Sequence, residues 1–141
     1  MRGFTFIELF ITIALVSIAM SLTLIIGVDS VSRSVASGER DTVVTFLEVA
    51  RTKALANVDE VPHGLHIDAT HFTLFSGASF TAGASNNRSY ERNAAVQVTG
   101  ATDIVFNQLS GSVTMGTGTL TFTDGSHTAT IDINSEGRIE W

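Results

Sequence analysis

The chain has 141 residues, a formal net charge of −6 at pH 7 and no cysteine. This length allows one modest domain with an appendage, and the lack of cysteine excludes a disulfide framework, thiol catalysis and zinc–thiolate sites. The acidic balance gives no electrostatic basis for non-specific nucleic-acid binding, which depends on an excess of Lys and Arg.

The N-terminus joins a very short basic leader to a long apolar run. Residues 1–3 read Met-Arg-Gly, and residues 4–28 are mostly apolar with a single charge, Glu8, near the start. A helix over residues 4–28 is about 38 Å long at 1.5 Å per residue, and a bilayer core is about 30 Å thick. The sequence therefore predicts a membrane-spanning helix. A lone carboxylate in such a segment is costly, which makes Glu8 a candidate functional residue.

The orientation of this predicted span follows from its flanks. Arg2 and the start amine keep the leader in the cytoplasm under the positive-inside rule. The apolar run is also longer than the 7–15 residues of a secretory signal. The sequence therefore favours a single-pass protein, with its N-terminus in the cytoplasm, over a cleaved secretory signal.

Helical periodicity continues beyond the apolar run. Apolar residues recur at three- and four-residue spacing up to Ala54, which predicts one helix from Phe4 to about Asn57. Its first half, residues 4–28, is the predicted span, and its second half, residues 29–57, is amphipathic. The apolar stripe of the second half is predicted to pack on the β-rich domain formed by residues 58–141. The stripe contains Val43, Phe46, Leu47 and Ala50.

After Asn57 the pattern changes to short β-rich segments separated by glycine, asparagine and aspartate. Residues 76–93 are polar and predict a long loop that faces solvent or a partner. The Asp124-Gly125 pair predicts a hairpin with a two-residue turn. The predicted strands cover residues 61–67, 71–75, 95–98, 103–106, 113–115, 120–123, 127–133 and 137–141.

The predicted hairpin has one apolar and one polar face. Placing Thr123 opposite Ser126 puts Leu120 opposite Ala129, and the threonines then share the solvent face. The predicted core face carries Leu120, Phe122, Ala129, Ile131 and Ile133.

The segment Gly3-Phe4-Thr5-Phe6-Ile7-Glu8-Leu9 resembles the processing and assembly motif of type IV pilins and type II secretion pseudopilins. The resemblance implies that a prepilin peptidase cuts between Gly3 and Phe4, and that Phe4 is then N-methylated. It implies that Glu8 acts in subunit assembly by pairing with the N-terminal amine of a neighbouring subunit. The implied fold is α+β and type IV pilin-like, with a long N-terminal helix packed on a C-terminal antiparallel β-sheet domain.

Four later segments resemble minor pilins and pseudopilins of the FimT/GspH type. They cover residues 50–54, 71–77, 104–111 and 137–139. The resemblance favours a minor subunit over a major shaft pilin. The number of predicted strands suggests two small sheets rather than a single four-stranded one. The resemblance implies as partners other pilin or pseudopilin subunits, the prepilin peptidase, an inner-membrane assembly platform and the lipid bilayer. The implied location is the bacterial cytoplasmic (inner) membrane, and after assembly a filament in the cell envelope or outside the cell.

Many type IV pilins carry a proline late in the membrane-spanning half and a disulfide near the C-terminus. This chain has a single proline, Pro62, and no cysteine. Its C-terminal region must therefore be held without a covalent link, and the resemblance does not extend to a proline kink in the helix.

No residue pattern predicts catalysis, a cofactor or a metal. His63, His66, His71 and His127 do not match known metal-ligand spacings, and neither a nucleophile elbow nor a phosphate-binding loop is present. We therefore expect a structural subunit rather than an enzyme.

The alternative function is capture of DNA or another ligand by a domain displayed on a pilus. FimT-type pilins include members that bind DNA through basic residues near the C-terminus. By that resemblance Arg138 is a candidate DNA contact, and Arg88 and Arg92 in the polar stretch could add charge, with Tyr90 available to stack on a base. Glu140 and the net negative charge weaken this alternative.

Overall fold

The computed structural model describes residues 5–125 and 127–141, and for residues 21–34 it describes the backbone alone. The predicted leader, the predicted cleavage between Gly3 and Phe4 and the predicted N-methylation of Phe4 therefore lie outside the described residues. Helix α1 covers Phe6–Leu55 and is followed by a 3₁₀ turn at Val58–Glu60. The strands that follow are β1 (His63–Ile67), β2 (His71–Ser76), β3 (Arg88–Glu91), β4 (Gln97–Thr99), β5 (Asp103–Phe106), β6 (Val113–Met115), β7 (Gly118–Asp124), β8 (His127–Ile133) and β9 (Ile139–Glu140).

The strands form two antiparallel sheets. The first sheet has the order β3-β2-β1-β5-β6 and the second has the order β4-β7-β8-β9. Since β3 and β4 are consecutive along the chain but lie in different sheets, the segment between them carries the chain from the first sheet to the second. The expectation of two small sheets is thus confirmed.

The core lies where the C-terminal part of α1 meets both sheets. Val43, Leu47, Ala50 and Ala54 lie at three- and four-residue spacing and are almost completely buried, as expected for one face of a helix. The first sheet contributes Leu65, Ile67, Phe72, Ile104 and Phe106, and the second contributes Leu120, Phe122, Ala129, Ile131 and Ile133. One stripe of the helix therefore joins the two sheets into a single hydrophobic core.

The predicted fold class, with a helix whose first half spans a membrane, is wrong, and so is the predicted single-pass location in the cytoplasmic membrane. A bilayer core needs roughly 20 consecutive apolar residues in one helix. Among the residues that the structure describes, no helix is both long enough and apolar enough to cross a membrane. The division of the chain at residues 3, 28 and 57 stays a prediction.

The β7–β8 hairpin has the predicted faces but a different register. Asp124 lies opposite His127, and Leu120 lies opposite Ile131 rather than Ala129. The register differs from the predicted one by two residues. Because side chains alternate with a period of two along a strand, a shift of two leaves every side chain on its predicted face.

Strand β3 lies inside the segment that was predicted to be a loop. Its residues pair with β2, with His71 opposite Glu91 and Leu74 opposite Arg88. All four side chains of β3 are exposed, because it is the edge strand of the first sheet. The segment therefore lacks the apolar alternation by which a half-buried strand is recognised in a sequence.

Candidate functional site

The N-terminal part of α1 carries an apolar surface that nothing in the described chain covers. Every large apolar side chain among residues 6–20 is at least 52% exposed, whereas Leu47 farther along the helix is 0% exposed. A helix that is apolar all round is normally buried, and an uncovered apolar surface of this kind marks an interaction site. The exposed side chains are Phe6, Ile7, Leu9, Phe10, Ile11, Ile13, Leu15, Val16, Ile18 and Met20.

Glu8 lies at the start of this apolar surface and caps its own helix. Thr5 is the N-cap residue, and both its backbone N–H and its hydroxyl donate to Glu8 Oε2 at 3.3 Å. In a capping box the side chain at N3 accepts a hydrogen bond from the backbone N–H of the N-cap residue, and Glu8 fills that role for Thr5. A carboxylate in the first turn is also favoured by the helix dipole. The exposed Glu8 carboxylate therefore has a local structural role and can still accept a hydrogen bond or an ion pair from another chain.

The N-cap residue Thr5, which directly precedes the helix, has an extended backbone. Thr5 has φ −83° and ψ 151°, and the regular helix begins at Phe6. The predicted scissile bond between Gly3 and Phe4 precedes this N-cap.

The candidate DNA contacts do not form a common basic surface. The guanidinium of Arg92 donates to the carbonyl oxygens of Asp68 at 2.8 Å and Val96 at 2.5 Å, and it also lies over the ring of Phe72. Arg138 pairs with Glu140 at 2.8 Å. Of these three arginines, only Arg88 has neither a hydrogen bond nor an ion pair within the described residues.

Tyr90 also has a structural role. Its ring stacks on Phe46 of α1 with a centroid distance of 4.6 Å, so one face of the ring is used inside the protein. Arg92, Arg138 and Tyr90 therefore each serve a contact within the chain. The geometry does not favour DNA capture through these residues.

The histidines hold neighbouring parts of the backbone and do not converge. His66 Nδ1 lies 2.8 Å from Asp103 Oδ1, and His63 lies between the Val58 carbonyl and the Ser76 hydroxyl. Within residues 5–125 and 127–141, the structure has no group of three His, Asp or Glu side chains that could hold a metal ion.

A further carboxylate fixes the turn between β1 and β2. Asp68 Oδ1 accepts the backbone N–H groups of Thr70 at 2.6 Å and His71 at 2.7 Å. The hydrogen bond from the Thr70 N–H lowers the pKa of Asp68, because it stabilises the ionised form. This aspartate is therefore a turn residue rather than a candidate acid or base.

Sequence reasoning missed the way in which the polar loop is held on the first sheet. Phe80 is the one aromatic residue among residues 77–87, and its ring lies parallel to the His66 ring with a centroid distance of 3.8 Å. It also contacts Phe75 edge-on at 5.7 Å. A single phenylalanine in a Ser-, Gly- and Asn-rich stretch was the sequence signal that this loop is docked.

Replacing this ring should release the loop while leaving the main core folded. Phe80→Ala is expected to raise amide exchange and protease cleavage within residues 77–87, because an aromatic contact contributes about 0.5–1.5 kcal/mol beyond its buried area. Hydrogen-exchange mass spectrometry would measure the change. The control is Phe80→Tyr, which keeps the ring and should resemble the unaltered chain. Equal protection in the alanine variant would contradict the docking role.

Comparisons with known proteins give no match: a scan against family models, a search of curated proteins and a search of solved structures each found none. The N-terminal motif and the exposed apolar helix surface are therefore the features of this chain that point to a function.

Proposed function

We propose that this protein is a minor pilin or pseudopilin, a structural subunit of a type IV pilus or of a type II secretion pseudopilus, rather than an enzyme. The observation that carries the proposal is the apolar surface of residues 6–20, in which every large apolar side chain is at least 52% exposed. This surface begins within the Gly3-to-Leu9 segment that resembles the prepilin motif. An exposed apolar helix next to a processing motif is what a helix-assembled filament subunit requires.

The two parts of α1 then have different tasks. Residues 35–55 attach the helix to both sheets through the buried stripe that includes Val43 and Leu47. Residues 6–20 pack against the corresponding helices of other subunits. Burying one large apolar side chain is worth about 1.5–3 kcal/mol relative to leaving it exposed, so several of these side chains supply a strong driving force for assembly.

Glu8 gives this otherwise non-directional packing a defined register. Once a peptidase has removed residues 1–3, Phe4 carries the N-terminal amine. An amine and a carboxylate placed in apolar surroundings each need an opposite charge, and the Glu8 carboxylate of an adjacent subunit provides it. The partners in this proposal are other pilin or pseudopilin subunits, the prepilin peptidase and the assembly platform.

The test of this proposal is the maturation of the chain. The purified cellular form should begin at N-methylated Phe4, and Gly3→Ala should leave residues 1–3 attached, because the motif requires glycine at the cleavage position. Intact-mass spectrometry measures both outcomes.

The matched control is Gly38→Ala, the same substitution at a glycine where an added Cβ meets no atom within 4 Å. This variant should be processed normally. A mature chain that begins anywhere other than Phe4, or normal processing of Gly3→Ala, would overturn the proposal.

A further inference from the structure

Three of the six described Lys and Arg side chains have a partner within the chain. Arg40 pairs with Asp41 at 2.7 Å, and Arg138 pairs with Glu140. Arg92 donates to two backbone carbonyls. The other three, Arg51, Lys53 and Arg88, have no hydrogen bond or ion pair within the described residues, although the 14 acidic residues of the chain outnumber its 8 Lys and Arg residues.

Lys53 and Arg88 are two such cations, and they line the same recess. Lys53 lies in the last turn of α1, and Arg88 begins the edge strand β3. Within the described residues, neither side chain has a hydrogen bond or an ion pair. The other residues that line the recess are Ala50, His63, Gly64, Leu74, Phe75, Ser76 and Asn86. No carboxylate is among them.

The uncharged polar groups of the recess add hydrogen-bonding capacity. The Asn86 side-chain amide donates to the Ser76 carbonyl only at the long distance of 3.5 Å, so the amide can turn toward a better acceptor. His63 is 2% exposed, and it holds the Ser76 hydroxyl at 3.2 Å and the Val58 carbonyl at 2.9 Å. The buried His63 is therefore fixed, while the half-buried Lys53 and the exposed Arg88 and Asn86 are available to donate.

The size of the recess limits what can enter. It encloses only about 10 Å³, which corresponds to one water-sized group. Two cations that share a recess repel each other unless an anion lies between them. An oxyanion that accepts hydrogen bonds from both an ammonium and a guanidinium makes the stronger, charge-assisted kind of hydrogen bond.

We propose that this recess receives one oxygen atom of an oxyanion group, a carboxylate or a phosphate, which is held between Lys53 and Arg88. The inference does not depend on the proposed pilin function, since it follows from the charges and lining of the recess alone. The rest of the ligand remains outside, because only one small group fits.

The test is a titration of the full chain, kept in a non-ionic detergent because of its exposed apolar helix, with inorganic phosphate at constant ionic strength. Saturable shifts of the amide resonances of Lys53, Ser76 and Arg88 are expected in ¹H–¹⁵N NMR spectra. In the double variant Lys53→Met with Arg88→Gln, binding should weaken roughly tenfold or more for each cation removed.

The matched control is Arg138→Gln, which removes an exposed arginine outside the recess and should leave phosphate binding unchanged. Because Lys53 and Arg88 are not core residues, the double variant should keep the dispersed spectrum of the folded domain. If the unaltered chain gives no saturable shift, or if the double variant binds as tightly as the unaltered chain, the proposal is overturned.

A second titration, with acetate in place of phosphate, distinguishes the two sources of the group. Saturation by acetate at the same amides identifies a carboxylate, such as an acidic side chain of another protein, as a fitting group. Saturation by phosphate alone identifies a phosphate ligand. Either result supports an oxyanion site, whereas equal shifts with sodium chloride alone would overturn it.

Discussion

Leu47→Ala is expected to lower the free energy of unfolding of the folded domain by about 2–5 kcal/mol. The same substitution at Leu15, on the same helix, should change it by no more than about 0.5 kcal/mol. Leu47 is 0% exposed and lies between the two sheets, so its removal leaves a cavity, whereas Leu15 is 62% exposed and fills no space in the core. Urea unfolding followed by circular dichroism would measure both values.

Incorporation into filaments should be sensitive to the substitution at Leu15, although the stability of the domain is not. Leu15→Ala removes apolar area that filament packing would bury, at about 1.5–3 kcal/mol for a whole side chain, so incorporation into filaments should fall without loss of domain stability. The amount of the variant in sheared filaments, relative to the amount in whole cells, gives the measurement. Destabilisation by Leu15→Ala equal to that by Leu47→Ala would show that residues 6–20 pack on the domain of their own chain.

Glu8 variants should separate assembly from helix capping. Glu8→Gln keeps an oxygen that can accept the two hydrogen bonds from Thr5 but removes the charge, and Glu8→Ala removes both. Losing one member of a buried ion pair costs about 3–5 kcal/mol. Both variants should therefore be nearly absent from filaments, while peptidase cleavage after Gly3 continues.

The control for capping is Thr5→Val, which removes the hydroxyl donor and leaves the Glu8 charge in place. This variant should lose only the modest free energy of a helix cap, about 0.5–2 kcal/mol, and should still enter filaments. Normal incorporation of Glu8→Gln would mean that Glu8 serves its own helix and has no charge partner in the filament.

The local pattern of the sequence predicted several strands well. Strands β5, β6 and β8 have the bounds that alternation and glycine or aspartate punctuation predict. The face of the β7–β8 hairpin was also predicted, whereas its register was not. The choice between the two registers depends on fine backbone geometry at the turn, and both choices bury Leu120 and Phe122.

Features that depend on distant parts of the chain were not predictable from the sequence. The stack of Phe80 on His66 and the unpaired state of Lys53 beside Arg88 depend on how separate elements meet in the fold. The predicted membrane-spanning half was inferred from hydropathy over residues 4–28, and it was overturned because no helix in the described part of the chain satisfies that requirement. Glu8 was singled out by its charge within an apolar run and by the resemblance to the pilin motif, and its role in assembly stays a prediction.

The position of the single tryptophan limits which optical signals can follow folding. Trp141 follows β9 at the chain end and is 60% exposed, so its emission should change little when the core melts. Tyr90, the single tyrosine, is held against Phe46 of the helix, so its near-ultraviolet dichroism reports directly on helix–sheet contact. Tryptophan fluorescence is instead suited to detecting a molecule that covers the C-terminal edge of the second sheet.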